Sequence, residues 1–146
     1  MRRVLLDTNI VLDFLLQRQP FVTEAEVLWQ IIKNGEIQGY VSATTLTNIF
    51  YITRKSKGVE MAKQDISEIL SVMEVCTVDR NILEIALSAN LTDFEDAVQV
   101  ACAMDENLYG IITRDRQDFA GANLPIFSPS EFLQLLAEEN KNKGDN

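Results

Sequence analysis

Asp7, Asp93, Asp96 and Asp115 are the residues of this chain whose type and placement could do chemistry. Asp7 ends the apolar run Val4-Leu5-Leu6 and is followed closely by Ile10-Val11-Leu12, so it reads as a strand end feeding a helix. That puts its carboxylate at the carboxyl edge of a sheet, where open α/β folds bind ligands, although an Asp in this place also serves as a plain helix cap. Asp115 closes the run Gly110-Ile111-Ile112-Thr113 in the same way. On the helix expected after Thr92, at about 100° per residue, Asp93 falls on the apolar side and Asp96 on its flank beside Val100 and Ala103. A carboxylate near a core needs a mate: a helix N-terminus, a cation or a metal. Glu95 reads instead as the reciprocal half of a Thr92–Glu95 capping box, with no catalytic role.

Acids from two strand ends and one helix start would gather at one sheet edge. Packed that closely they repel and raise one another's pKa unless a divalent cation is present. Oxygen-only ligation suits Mg²⁺ or Mn²⁺, and the matching chemistry is in-line hydrolysis of a phosphodiester. The chain has no histidine, which removes His-based acid–base pairs, Ser-His-Asp triads and most zinc hydrolase designs. Its net charge of −9 argues against a generic nucleic-acid coat protein but not against a metal-dependent nucleic-acid enzyme. Cys76 and Cys102 lie in apolar stretches without paired spacing, as in the core of a reduced cytoplasmic protein. No run reaches membrane-spanning length, and the segment behind Met1-Arg2-Arg3 lacks the features of a signal peptide.

The elements needed to hold these acids alternate in the α/β manner. With 146 residues, 47% of them apolar, the chain suits one domain, expected over residues 1–139 with a polar, frayed tail at 140–146. Strands are expected at Val4–Leu6, Ile37–Ser42, Val75–Val78, Tyr109–Thr113 and Pro125–Phe127. Capping boxes at Thr23–Glu26, Thr92–Glu95 and Ser128–Glu131 mark helix starts, Asp79 caps another, and Gly58 closes the helix ending in Arg54-Lys55-Ser56-Lys57.

Asp7-Thr8-Asn9 after a Val/Leu strand, Asp93-Phe94-Glu95-Asp96-Ala97 opening an alanine-rich helix, and Thr113-Arg114-Asp115 with Asp118-Phe119 close behind together resemble the PIN-domain nucleases, in particular the VapC-like toxins and their single-domain bacterial relatives. The resemblance implies a three-layer α/β/α fold on a central parallel sheet of about five strands in the order 3-2-1-4-5. It also implies a Mg²⁺- or Mn²⁺-dependent endoribonuclease, a homodimer and, for toxin members, a small antitoxin partner. Residue by residue, Asp7, Asp96 and Asp115 match the first, third and fourth family acids and would ligate the metal. Asn9 matches a polar residue that orients the first acid, and Asp93 an acid found in some relatives.

The second family acid, a glutamate on the helix after strand two, falls at Asn48. An amide carries no charge and cannot act as a base, and no Asp or Glu occurs between Gly39 and Gly58 to replace it. The same departure supports an alternative, a catalytically impaired PIN-fold binding or regulatory protein. Arg114 and Arg116 flank Asp115; they either reach a substrate phosphate or neutralise neighbouring acids.

Overall fold

The computed structural model describes residues 1–144. Five parallel strands form its single sheet: β1 (Arg2–Leu6), β2 (Ile37–Ser42), β3 (Glu74–Cys76), β4 (Gly110–Ile112) and β5 (Ile126–Phe127). Their order is β3-β2-β1-β4-β5, as the family resemblance implies. β1 is central, with Val4 beside both Gly39 and Gly110, so the carboxyl ends of β1 and β4 emerge side by side. Gly110 allows the close approach of β5, since a Cβ there would lie 2.6 Å from the carbonyl oxygen of Pro125.

Val4, Leu5 and Leu6 are all buried because both faces of a parallel sheet are covered by the crossover helices. One face packs against α1 (Thr8–Leu15), α2 (Val22–Lys33), α3 (Ala43–Lys57), α4 (Val59–Val72) and α7 (Pro129–Gly144), through Ile10, Trp29, Ile49, Ile69 and Phe132 among others. The opposite face packs against α5 (Arg80–Ser88) and α6 (Phe94–Asp105). Ala97, Ala101 and Ala103 keep α6 close to the sheet, and the helix is apolar on most sides because it is covered on most sides.

Side chains cap four of the helix starts, α6 from a residue other than the expected one, and the expected cap of α2 is absent. Asp79 Oδ1 accepts the Ile82 amide at 3.0 Å. Ser42 Oγ accepts the Thr45 amide. Ser128 and Glu131 form a reciprocal capping box, each side chain accepting the other's amide, with Pro129 in the first helical position. The expected box at Thr23 does not form: α2 begins at Val22, after Phe21, whose ring lies under the Arg114 guanidinium at 4.0 Å, and the buried Val22 fixes the chain ahead of Thr23. At α6 the cap is Asp93 rather than Thr92. The helix of the expected tail continues through Gly144, with Arg2 of β1 paired to Glu139; residues 145–146 lie outside the described residues.

One buried ion pair ties the end of β4 to α1. Asp13, on the inner side of α1 and fully buried, accepts from Arg114 Nε at 2.9 Å and Nη2 at 3.3 Å, with Arg18 at 3.7 Å on its other side. Removing one partner of such a pair strands a charge in the core. Arg114→Met should therefore cost about 3 kcal/mol in urea unfolding, and Asp13→Asn in the same chain should recover most of it. A loss below about 1 kcal/mol would mark the pair as a surface contact.

Candidate active site

Asp7 occupies the N-cap position of α1, yet its side chain does not cap the helix. Its Oδ1 accepts from Gln99 Nε2 at 3.0 Å and its Oδ2 from Thr113 Oγ1 at 2.8 Å, so the carboxylate is turned across the sheet edge toward α6 and the end of β4. Thr113 Oγ1 in turn accepts the Asp115 amide at 3.0 Å. One buried hydroxyl thus fixes both strand-end acids. Gln99 was not singled out in the sequence; the signal was a polar residue three positions after Asp96 within the apolar run Ala97-Val98-Gln99-Val100-Ala101, and it is fully buried.

These groups open into a cleft of about 460 Å³ that carries six acids, Asp7, Asp93, Glu95, Asp96, Asp115 and Asp118. Asn9 and Asn48 also line it, and Tyr51 and Ile52 of α3 form its apolar rim. No Lys or Arg lines it among the described residues. The structure therefore brings together all six residues expected at the catalytic centre, and adds Glu95 and Asp118.

Their local settings differ from expectation in several respects. Asp93 precedes α6 and is exposed instead of lying on its apolar side; its Oδ1 accepts the Asp96 amide at 3.0 Å, so its mate is the N-terminus of its own helix. This one-residue shift of the cap frees Glu95, which accepts from Thr8 Oγ1 at 3.1 Å. Asp118 enters through a 3-10 turn over Arg116–Phe119 that the sequence did not announce, although the Asp115–Asp118 spacing suits such a turn. Asn9 Oδ1 accepts from Arg18 Nη1 at 3.4 Å, and the orienting role expected of it toward Asp7 is filled by Gln99 and Thr113. Neither arginine offered as a phosphate contact points its charge at the cleft. Arg114 belongs to Asp13 and Phe21, and Arg116 pairs with Glu131 at 3.2 Å, so both neutralise acids.

Burial, and crowding after it, raises the proton affinity of Asp96 and Asp7. Asp96 is pushed up to about 7, first by burial and then by the charges of Asp93, Asp7, Asp118 and Glu95. Asp7 is also raised, chiefly by burial and in addition by Asp115, while the hydrogen bonds from Gln99 and Thr113 act in the opposite sense. A hard divalent cation suits this donor set, which is oxygen only, negatively charged and without a basic residue of its own. Gln99 Oε1, behind Asp7, is buried without a hydrogen-bond partner. Among the described residues no three acids stand close enough to form a ready-made ligand set.

The family profile described as PIN domain matches residues 3–117. No curated protein sequence matches the chain. Among solved structures, a toxin–antitoxin complex from Klebsiella pneumoniae is 25% identical, with a TM-score of 0.65 over 86% of this chain and 97% of that one. VapBC2 from Rickettsia felis, bound to a DNA fragment from its promoter, is 18% identical with a TM-score of 0.65, covering 86% and 98%. VapC20 from Mycobacterium tuberculosis, described as a sarcin-ricin loop cleaving toxin, is 16% identical with a TM-score of 0.67, covering 84% and 96%. With the profile spanning both strand-end acids and the acids of α6, and the strand order that the resemblance implies in place, the chain belongs to the PIN-domain family.

Proposed function

We propose that this protein is a Mg²⁺- or Mn²⁺-dependent endoribonuclease, the toxin of a toxin–antitoxin pair. The observation that carries the reading is the cleft itself: six carboxylates, no cationic side chain and no histidine, at the carboxyl edge of a parallel sheet. A bound divalent cation would neutralise these acids and supply Lewis-acid activation of water and of a phosphodiester. Asp7, Asp96 and Asp115 would hold it. The Asp7 carboxylate is oriented by two hydrogen bonds. Asp115 is placed by the same Thr113 hydroxyl. Asp93 steadies the first turn of α6 and with it Asp96. Asn48 and Asn9 offer neutral polar contacts, and Tyr51 beside them offers a ring face to an unstacked base.

RNA as substrate, a small antitoxin partner, a homodimer and a cytoplasmic location belong to this proposal. The solved relatives described as toxin–antitoxin or VapBC complexes support the partner, and the sarcin-ricin loop cleaving toxin supports the substrate. Among the described residues no helix is long and apolar enough to cross a membrane. Asn48 favours the rival reading, a catalytically impaired binding protein on the same fold, because it leaves the α3 wall of the cleft without charge.

Two measurements follow. Metal-stripped protein should leave structured RNA intact, added Mn²⁺ or Mg²⁺ should restore cleavage, and Asp96→Asn should abolish it. Cleavage that persists in EDTA and is lost in Asp96→Asn would contradict the metal reading, whereas Mn²⁺ binding without cleavage of any RNA would favour the rival.

The second concerns pH. The folded Asp96 carboxyl binds its proton more tightly than an unfolded one, so its effect is most favourable in acid. That stability is lost as pH rises from the ordinary value of 3.8 through about 7. In thermal melts the metal-free protein should lose stability between about pH 4 and pH 7, and Asp96→Asn should flatten the decline. Parallel profiles for the two proteins would show that Asp96 does not bear the charge crowding.

A further inference from the structure

Position 48 of α3 brings an amide into the cleft where the family resemblance calls for an acid, yet the cleft holds an acid that this resemblance does not use, Glu95 of α6. We propose that Glu95 supplies the fourth carboxylate of the metal site in place of the residue at position 48; this rests on the metal-dependent reading given above.

The geometry around Glu95 has one consistent polarity. An ionised carboxylate only accepts hydrogen bonds, so the Thr8 hydroxyl must donate to Glu95 Oε1. With its proton spent there, Thr8 must accept from Thr45 Oγ1 at 2.9 Å. Thr45 must then accept from Ser42 Oγ at 2.9 Å, and Ser42 from Thr44 Oγ1 at 3.0 Å. Ser42 Oγ also takes the Thr45 amide at 3.2 Å. Thr8, Ser42 and Thr45 are buried, so the two middle links form away from competing solvent and reinforce each other, while the links to Glu95 and Thr44 are partly buried.

Two features make this chain of hydroxyls a device for positioning Glu95 rather than a generic cap. It starts at the N-terminus of α3, one turn before Asn48, so the element that lacks the acid is the one that anchors the acid on α6. It ends at Thr8, the residue after Asp7, and Glu95 and Asp7 line the same cleft. Thr8 is the hydrogen-bond partner of Glu95 among the described residues, and Oε2 is left to the exposed cleft. Asn48, uncharged, adds no repulsion to this arrangement; a carboxylate there would crowd Glu95 further.

The test is titration of Mn²⁺ into the metal-stripped full chain by calorimetry, with thermal melts to confirm folding. Glu95→Gln should weaken Mn²⁺ binding about tenfold or more, since charge count tunes cation affinity. Thr8→Val should weaken it about tenfold by freeing the carboxylate, and should have little further effect in a Glu95→Gln chain, because the hydroxyl acts through Glu95. Adding Asn48→Glu to Glu95→Gln should recover the lost affinity. Glu95→Gln binding as tightly as wild type while Asp96→Asn loses binding would overturn the role of Glu95 and leave the metal site standing. Failure of Asn48→Glu to restore affinity to Glu95→Gln would overturn the exchange of positions. Absence of Mn²⁺ binding by wild type would overturn both this proposal and the reading on which it rests.

Discussion

Like-charge crowding at one edge of the sheet is the constraint to which the rest of the molecule answers. In an all-parallel sheet every carboxyl end faces the same way, so Asp7 and Asp115 are delivered to neighbouring points by β1 and β4. The N-terminus of α6, with Asp93, Glu95 and Asp96, faces the same opening. Acids placed at these ends are both desolvated and crowded, and the proton affinities of Asp96 and Asp7 are raised first by burial and then by the neighbouring carboxylates. A structural protein gains nothing from such an arrangement. A site built for a divalent cation does, because the cation converts each repulsion into an attraction.

The crowded acids are held by neutral donors, not by cations. Gln99, Thr113, Thr8 and the amide of Asp96 each give a hydrogen to a carboxylate of the cleft. These bonds orient the acids while leaving the negative potential of the opening in place. The guanidiniums nearby serve elsewhere: Arg114 on Asp13 and Phe21, Arg18 on Asp13 and Asn9, Arg116 on Glu131. The buried Asp13–Arg114 pair has a structural consequence for the site, since it clamps the residue before Asp115 to the helix that follows Asp7.

Much of this was legible in the amino-acid sequence. The alternation of short apolar runs and amphipathic segments marked all five strands, and an acid at the end of an apolar run marked Asp7 and Asp115. Where the reading failed, the cause was local competition. Thr92 and Asp93 are both good caps, and only the packing of α6 decides for Asp93; that single step moved Asp93 out of the core and Glu95 into the cleft. Thr23 lost its cap position because Phe21 is held under Arg114, a contact between residues far apart in sequence. Gln99 was hidden for a similar reason: its partner, Asp7, lies 92 positions away. Arg114 and Arg116 could be placed beside Asp115 from sequence, but which acids they meet depends on α1 and α7.

The carboxylates of the cleft are proposed to converge on a divalent cation. Anomalous diffraction from crystals grown with Mn²⁺ tests this most directly, because manganese is located independently of any assumption about its ligands. The expected result is an anomalous peak within the cleft, ligated by Asp7, Asp96 and Asp115, with these carboxylates drawn closer together than in the metal-free chain. Fully ordered side chains around a cleft without an anomalous peak, at Mn²⁺ concentrations that support cleavage, would contradict it.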